Sequence, residues 1–163
     1  MLQDRALAFF FLFCLWGNVS VDIFMGLDVD LRSTGFAFHR IVYESGVKFD
    51  PLFVENSPYM RYSALLTAFI YAPYYVVATI SLLKGDGLGK RSSFVRNYSW
   101  VYAVGMFVNM SIVLSLEYNE FRLGSRLAPK LGLYWIPCGS YWLIPFLLIF
   151  RLQRESRRIL KDE

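Results

Sequence analysis

The chain has 163 residues, 56% of them hydrophobic and 18% aromatic, with a mean hydropathy of +0.39. Only 18% are charged, with 17 Lys and Arg against 13 Asp and Glu for a net charge of +4, where a soluble domain carries about 25% charged residues. Long stretches hold almost no charge, which excludes a disordered chain, a coiled coil or a disulfide-stapled miniprotein and points to an all-α integral membrane protein.

Backbone groups in lipid must be paired within their own segment, so the apolar stretches are expected to be helices. About 20 mostly apolar residues cross a hydrocarbon core of about 30 Å. The first such span is 6–25, interrupted by Asn18, Ser20 and Asp22. Arg5 before an apolar run would also suit a signal peptide. Trp16-Gly17-Asn18-Val19-Ser20 is a poor cleavage site, however, and apolar character resumes through Met25, which favours a span. A carboxylate near a helix centre costs about 2.5–3.5 kcal/mol on insertion scales, so it marks a functional cavity by default. Asp22 is such a group. Asn18 lies one turn before it on the same face, and Gly26 one turn after, leaving that face open at its end. The alternative for Asp22 is hydration at a nearby interface.

The connection 26–58 is long for a structureless loop and is expected to fold over the mouth of a cavity. Its Phe49-Asp50-Pro51-Leu52 reads as a plain turn or as an acid turned back into the pocket. His39, the one histidine, is expected at the surface. The second span, 62–83, carries Thr67 and Tyr71 four apart, then Pro73, which deprives the Phe69 carbonyl of its donor and bends the helix. The third, 98–116, adds the amide of Asn109. The fourth, 131–150, holds Pro137 and Pro145, with Gly139 and Ser140 between them suited to close helix contact. Two bent helices facing each other would enclose a cavity, completing a four-helix bundle with proline-kinked spans and one domain over 1–163. Trp100, Trp135 and Trp142 would line that cavity or sit in the interfacial aromatic belt.

Basic residues in the short connections orient such a bundle. Arg5, Lys84, Lys90, Arg91, Arg96, Arg151, Arg154, Arg157, Arg158 and Lys161 fall on one side, ten in all. Arg32, Arg40, Lys48, Arg61, Arg122, Arg126 and Lys130 make seven on the other, a bias that puts both termini in the cytosol. The basic tail, 151–163, would rest on anionic headgroups at about 1 kcal/mol per charge; it is not a nucleic-acid site. The acceptor-like triplets at Asn18, Asn97 and Asn109 fall in spans or at a cytosolic end, where they would not be glycosylated. Cys14 and Cys138 lie in different spans and read as packing residues. No phosphate loop, zinc site or nucleophile triad is visible, and no cofactor or metal is expected.

Taken in order, several short segments resemble one family. They are Asp22-Ile23-Phe24-Met25, Lys48-Phe49-Asp50-Pro51-Leu52, Tyr71-Ala72-Pro73-Tyr74 with Leu83-Lys84-Gly85, and Tyr141-Trp142-Leu143-Ile144-Pro145-Phe146. The chain is similar, over nearly its whole length, to the EXPERA-domain family of emopamil-binding proteins and sigma-2 receptors, and nearest to the four-span sigma-2 branch. That resemblance implies an endoplasmic-reticulum bundle with an intramembrane pocket open to lipid, which binds sterols and cationic amphiphilic amines. It also implies a role in cholesterol handling. Residue by residue, Asp50 matches the family's Asp-Pro acid, while Asn109 and Tyr141 match pocket-lining positions. The chain departs from the pattern where Gly26 stands for an Asp, Thr67 for a Glu and Tyr71 for a Gln. Both intramembrane acids of the family's amine site are therefore missing, with Asp22 the nearest substitute and Glu117 a weaker one.

The ligand-binding set is thus Asn18, Asp22, Asp50, Thr67, Tyr71, Asn109 and Tyr141. It suits a non-enzymatic membrane protein that holds a sterol or other lipid and contacts a membrane-protein partner or a second copy of itself. Two alternatives stay open. One is a sterol double-bond isomerase, which needs Asp22 with Asp50 or Glu117 at one ring; the other is a structural or quality-control subunit with a collapsed pocket.

Overall fold

The computed structural model describes residues 2–85, 88, 93–126 and 135–162, and the regular structure among them is helical. Helix α1 starts as Leu2–Gly17, widens into a π turn at Asn18–Asp22 and closes with Ile23–Gly26. The connection after it folds into α2, Ala37–Phe49, and the short α3, Pro51–Glu55. Helix α4 runs as Pro58–Leu66, a second π turn at Thr67–Tyr71, and Ala72–Leu83. Two long helices follow, α5 at Ser93–Arg122 and α6 at Trp135–Asp162.

Three of these are long and apolar enough to cross a membrane, over Gln3–Gly26, Pro58–Leu83 and Ser93–Arg122. Each extends past the predicted span. Ser57 explains the early start of α4, because its hydroxyl accepts from the Met60 amide and Pro58 occupies the first helical position, where a missing N–H costs nothing. Residues 131–134 of the fourth predicted span lie outside the described residues, as do Lys90, Arg91, Lys130 and the side chains of Trp135, Pro137 and Cys138. From Trp135 the chain is helical through Asp162, so α6 continues unbroken into the basic tail. Arg, Leu, Gln, Glu and Lys are strong helix formers and give the helix no reason to stop at 150.

Successive long helices pack antiparallel. Phe11 of α1 meets Tyr74 and Tyr75 of α4, while Asn18 meets Thr67. Tyr74 of α4 donates to Ser99 Oγ of α5 at 3.2 Å, and Asn109 Nδ2 of α5 donates to Ser63 Oγ at 2.8 Å. Trp142 Nε1 of α6 donates to Ser111 Oγ of α5 at 2.9 Å, and Phe146 stacks on Phe107. Helix α6 also returns to α1, through Phe10 against Tyr141 and an ion pair between Arg151 and Asp4 at 2.5 Å.

The core is aromatic at the α1 start and polar-lined toward the 26–58 connection. Phe11, Tyr74, Tyr75 and Tyr102 are fully enclosed, with Tyr74 and Tyr102 stacked at 4.4 Å. Outward faces are as apolar as the interior. Phe9 and Trp16 on α1, Phe69, Ile70, Val76 and Ile80 on α4, and Val101, Val104, Val108 and Ile112 on α5 are all exposed. Their helical spacing forms continuous apolar stripes. A soluble monomer does not expose stripes of this extent, whereas lipid is their natural solvent.

Glycine positions depart from the expected pattern. Among the described residues no neighbour approaches a Cβ built at Gly139, so none of them needs a glycine there for close helix contact. The close approach is at Gly26 instead, where a Cβ would lie 2.6 Å from Leu65 Cδ2 and 3.2 Å from the Leu65 backbone nitrogen. Far from leaving the polar face open, Gly26 lets α1 and α4 touch.

Candidate functional site

A cavity of about 520 Å³ lies where α1, α2, α4 and α5 converge. Each helix contributes one stripe at helical spacing: Asn18, Val21, Asp22 and Met25 from α1, and Val42, Ser45, Gly46 and Phe49 from α2. Met60, Ser63, Ala64 and Thr67 come from α4, and Met106, Met110, Val113 and Glu117 from α5. Residues at i, i+3, i+4 and i+7 share a helix face, so each helix needs only one inward stripe to build a wall. Asp50 and Phe53 of the α2–α3 corner and Tyr141 of α6 complete the lining. Phe13, midway along α1, also lines it and is 51% exposed. Ser45 of α2 is the other exposed residue of the lining, so the cavity is bordered by exposed side chains both on the flank of α1 and in the 26–58 connection.

The two π turns face each other across this wall. Asn18 opens the first and donates through Nδ2 to the carbonyl of Thr67, which opens the second, at 2.9 Å. The Thr67 hydroxyl donates to Asp22 Oδ2 at 2.7 Å, so Asp22 closes the first turn and the loop of bonds together. Pro73 explains the second π turn: it lacks an N–H and crowds the carbonyl four residues back, and a wider turn relieves both. The expected bend at Pro73 thus takes the form of a π turn. Nothing comparable marks the first turn, which contains no proline. Carbonyls in both turns take side-chain donors, Ser20 from His39 and Ile70 from Tyr98 at 2.7 Å.

Of the predicted set, Asn18, Asp22, Asp50, Thr67 and Tyr141 line the cavity, and Tyr71 and Asn109 do not. Tyr71 is buried against α5, its ring edge-on to Tyr102 at 5.4 Å and its hydroxyl 2.5 Å from where a Gly105 Cβ would stand. The missing side chain at Gly105 draws the phenol toward α5 and away from the cavity. Asn109 turns off the inward stripe of α5 toward α4, where its Oδ1 accepts from the Tyr59 hydroxyl at 2.9 Å and its amide holds Ser63. It supports the wall from behind. Asp50 is neither a plain turn nor unpartnered: its Oδ1 accepts from the Phe53 amide at 3.1 Å, capping α3, and the residue is buried beside the cavity.

His39 is not a surface residue. It is 3% exposed, because 26–58 folds into an amphipathic helix and His39 falls on its inner face with Val42 and Gly46. Sequence reasoning also missed the methionines. Met25, Met60, Met106 and Met110 all line the cavity, and they are every methionine in the chain after Met1. The spacing of Met106, Met110, Val113 and Glu117 was legible as a stripe, but nothing local said which way it faced. Glu117 is fully buried on that stripe.

Beyond the cavity, the 26–58 connection is tied down at its surface. Arg32 pairs with Asp30 at 2.8 Å and lies over the Tyr43 ring, and its guanidinium holds the exposed Asp30 carboxyl below its ordinary range. Arg61 pairs with Asp28 at 2.7 Å. Among the described residues no cluster of His, Cys, Asp and Glu has the geometry of a metal site.

Comparison of the chain with protein-family models, curated proteins and solved structures finds no match. The geometry of the cavity carries the functional reading alone.

Proposed function

We propose that the chain is a multi-pass membrane protein of the EXPERA type, resident in the endoplasmic reticulum, that holds a sterol or a similar lipid in this cavity. One observation carries the reading. A cavity of about 520 Å³ is walled by four methionines and a few polar groups and is bordered by Phe13, which is exposed on the apolar flank of α1. That volume lies within the about 300–1,000 Å³ of small-molecule pockets. Methionine walls adapt to irregular apolar bodies. An opening beside Phe13 would admit a ligand from lipid without passage through water. The polar groups at Asn18, Asp22, Thr67 and Glu117 would engage a hydroxyl or an amine at one end of such a ligand. In this reading α6 is the fourth span, since Tyr141 sits beside Phe10 and Arg151 beside Asp4, antiparallel to α1.

The test is binding of a fluorescent sterol to the purified protein in lipid nanodiscs. Ala64→Trp places a ring in the cavity and is expected to weaken binding at least tenfold. Val104→Trp on the outer face is the control and leaves it unchanged. Equal binding by both variants removes the reading. The presence of Asp22, Asp50 and Glu117 on one cavity favours a second reading, a sterol double-bond isomerase in which one acid protonates and another abstracts. Expression in cells lacking their own isomerase tests it, and absence of growth rescue excludes it.

A further inference from the structure

Leucine and methionine fill nearly the same volume, and the chain holds 23 leucines against five methionines. Every methionine after Met1 lines the cavity, yet no leucine is among the described residues that line it. Bulk alone does not account for that choice. What methionine adds is a thioether, a soft and uncharged donor at the end of three rotatable bonds.

Three of the four belong together. Met60 of α4 and Met106 and Met110 of α5 are buried in one continuous cluster of the core, whereas Met25 sits in another with Val21, Leu31 and Ala64. Asn109 sets their level. Its Oδ1 accepts from the Tyr59 hydroxyl at 2.9 Å and its Nδ2 donates to Ser63 Oγ at 2.8 Å, so one amide grips a whole turn of α4. Met60 lies within that turn, one residue and about 1.5 Å along the axis from Tyr59. Met106 and Met110 bracket Asn109 on α5, about 6 Å apart along the axis and on a common face. The clamp therefore holds the three at one height, on the two cavity walls that α4 and α5 build. Asp22 and Glu117 line the same cavity, and a carboxylate there offsets the cost of bringing a cation out of water.

We propose that Met60, Met106 and Met110 form a three-thioether site for a soft monovalent cation of the Cu(I) class. Thioether sulfur is a donor of the kind that selects Cu(I), whereas Mg²⁺ and Ca²⁺ take oxygen and Zn²⁺ takes thiolate, imidazole or carboxylate. The three ligands are neutral and lose no proton when the cation binds, unlike a cysteine thiol. Their unbranched side chains can close on an ion without a movement of either helix. The metal site does not depend on the sterol reading and shares only the cavity with it.

The test uses Ag(I), a redox-stable substitute for Cu(I), and the full chain in nanodiscs in chloride-free buffer. Labelling the methionine methyls with ¹³C gives five signals, assigned by single Met→Leu variants. Silver is expected to shift the methyls of Met60, Met106 and Met110 together, with one midpoint, and to leave Met1 and Met25 in place. The signals report on the thioethers themselves, so uptake of silver by Cys14 or Cys138 does not imitate the result. Zn²⁺ at the same concentration is expected to move none of the three. Met60→Leu and, independently, Met110→Leu conserve volume, and each is expected to raise the free silver needed to shift the remaining two at least tenfold. Three methyls that stay in place, that move with separate midpoints, or that respond equally to Zn²⁺ overturn the site, as does an unchanged midpoint in both variants. Fluorescent sterol is tested on a separate sample without silver. Sterol binding with no concerted methyl shift defeats the metal site and leaves the sterol reading, and a concerted shift without sterol binding does the reverse.

Discussion

Asn18, Thr67 and Asp22 form a short polar circuit between two helices. Removing one member strands the others. Thr67→Val deletes the hydroxyl that donates to Asp22 Oδ2, and an unserved buried polar group costs about 1–3 kcal/mol. Thermal unfolding in detergent is expected to show that loss, and a smaller loss in Thr67→Ser, which keeps the donor. Asp22→Asn asks a different question. If Asp22 is the counter-ion for cationic amphiphiles, an alkylammonium probe is expected to bind at least tenfold more weakly to this variant while fluorescent sterol binding changes little. Unchanged amine affinity would relieve Asp22 of that role. At this scale the sequence was informative about chemistry and poor about direction. An acid in an apolar run is conspicuous wherever it points, so Asp22 stood out. Tyr71 and Asn109 looked equally conspicuous, yet a gap at Gly105 and a hydroxyl on Tyr59 turn both of them away from the cavity.

Helices α1 and α4 owe their contact to one glycine and two π turns. Gly26→Ala is expected to drive a methyl into Leu65, with a destabilisation of about 1–3 kcal/mol from overpacking. Leu65→Ala alone is expected to lose stability by leaving a gap, and the double variant to recover part of the Gly26→Ala loss, because the two sites share one space. Additive losses in chemical denaturation would show that the contact is not what limits residue 26. The same contact leaves no room for a larger side chain at residue 26. Proline made one π turn foreseeable, since Pro73 removes a donor and crowds Phe69. The other was not, for it arises where Asn18 and His39 supply donors to backbone groups from outside the helix. Likewise the 26–58 connection was too long to be plain loop, but only its inner-face pattern of His39, Val42, Gly46 and Phe49 became meaningful once α2 lay across the cavity.

As a whole, the chain is a set of antiparallel helices whose outer stripes are apolar. If α1, α4 and α5 cross the bilayer and α6 crosses as a fourth, both termini and residue 84 share one side, opposite residues 26–58. Single cysteines introduced into a variant lacking Cys14 and Cys138 test this in sealed vesicles. A membrane-impermeant thiol reagent is expected to label position 84 and position 44 from opposite sides, and positions 3 and 157 from the same side as 84. Labelling of positions 3 and 157 from different sides would leave three crossings. Apolar run length and the placement of charge determined on their own that the chain forms long helices with lipid-compatible faces, because hydrocarbon tolerates no unpaired backbone and few charges. Which face of each helix turns inward, that four methionines gather around one hollow, and that the lone histidine is buried against a π turn were decided only by tertiary packing. In a soluble helix the apolar stripe marks the interior; here both faces are apolar, so hydrophobic periodicity carries no direction and steric fit between glycine gaps, aromatic rings and a few hydrogen bonds must supply it.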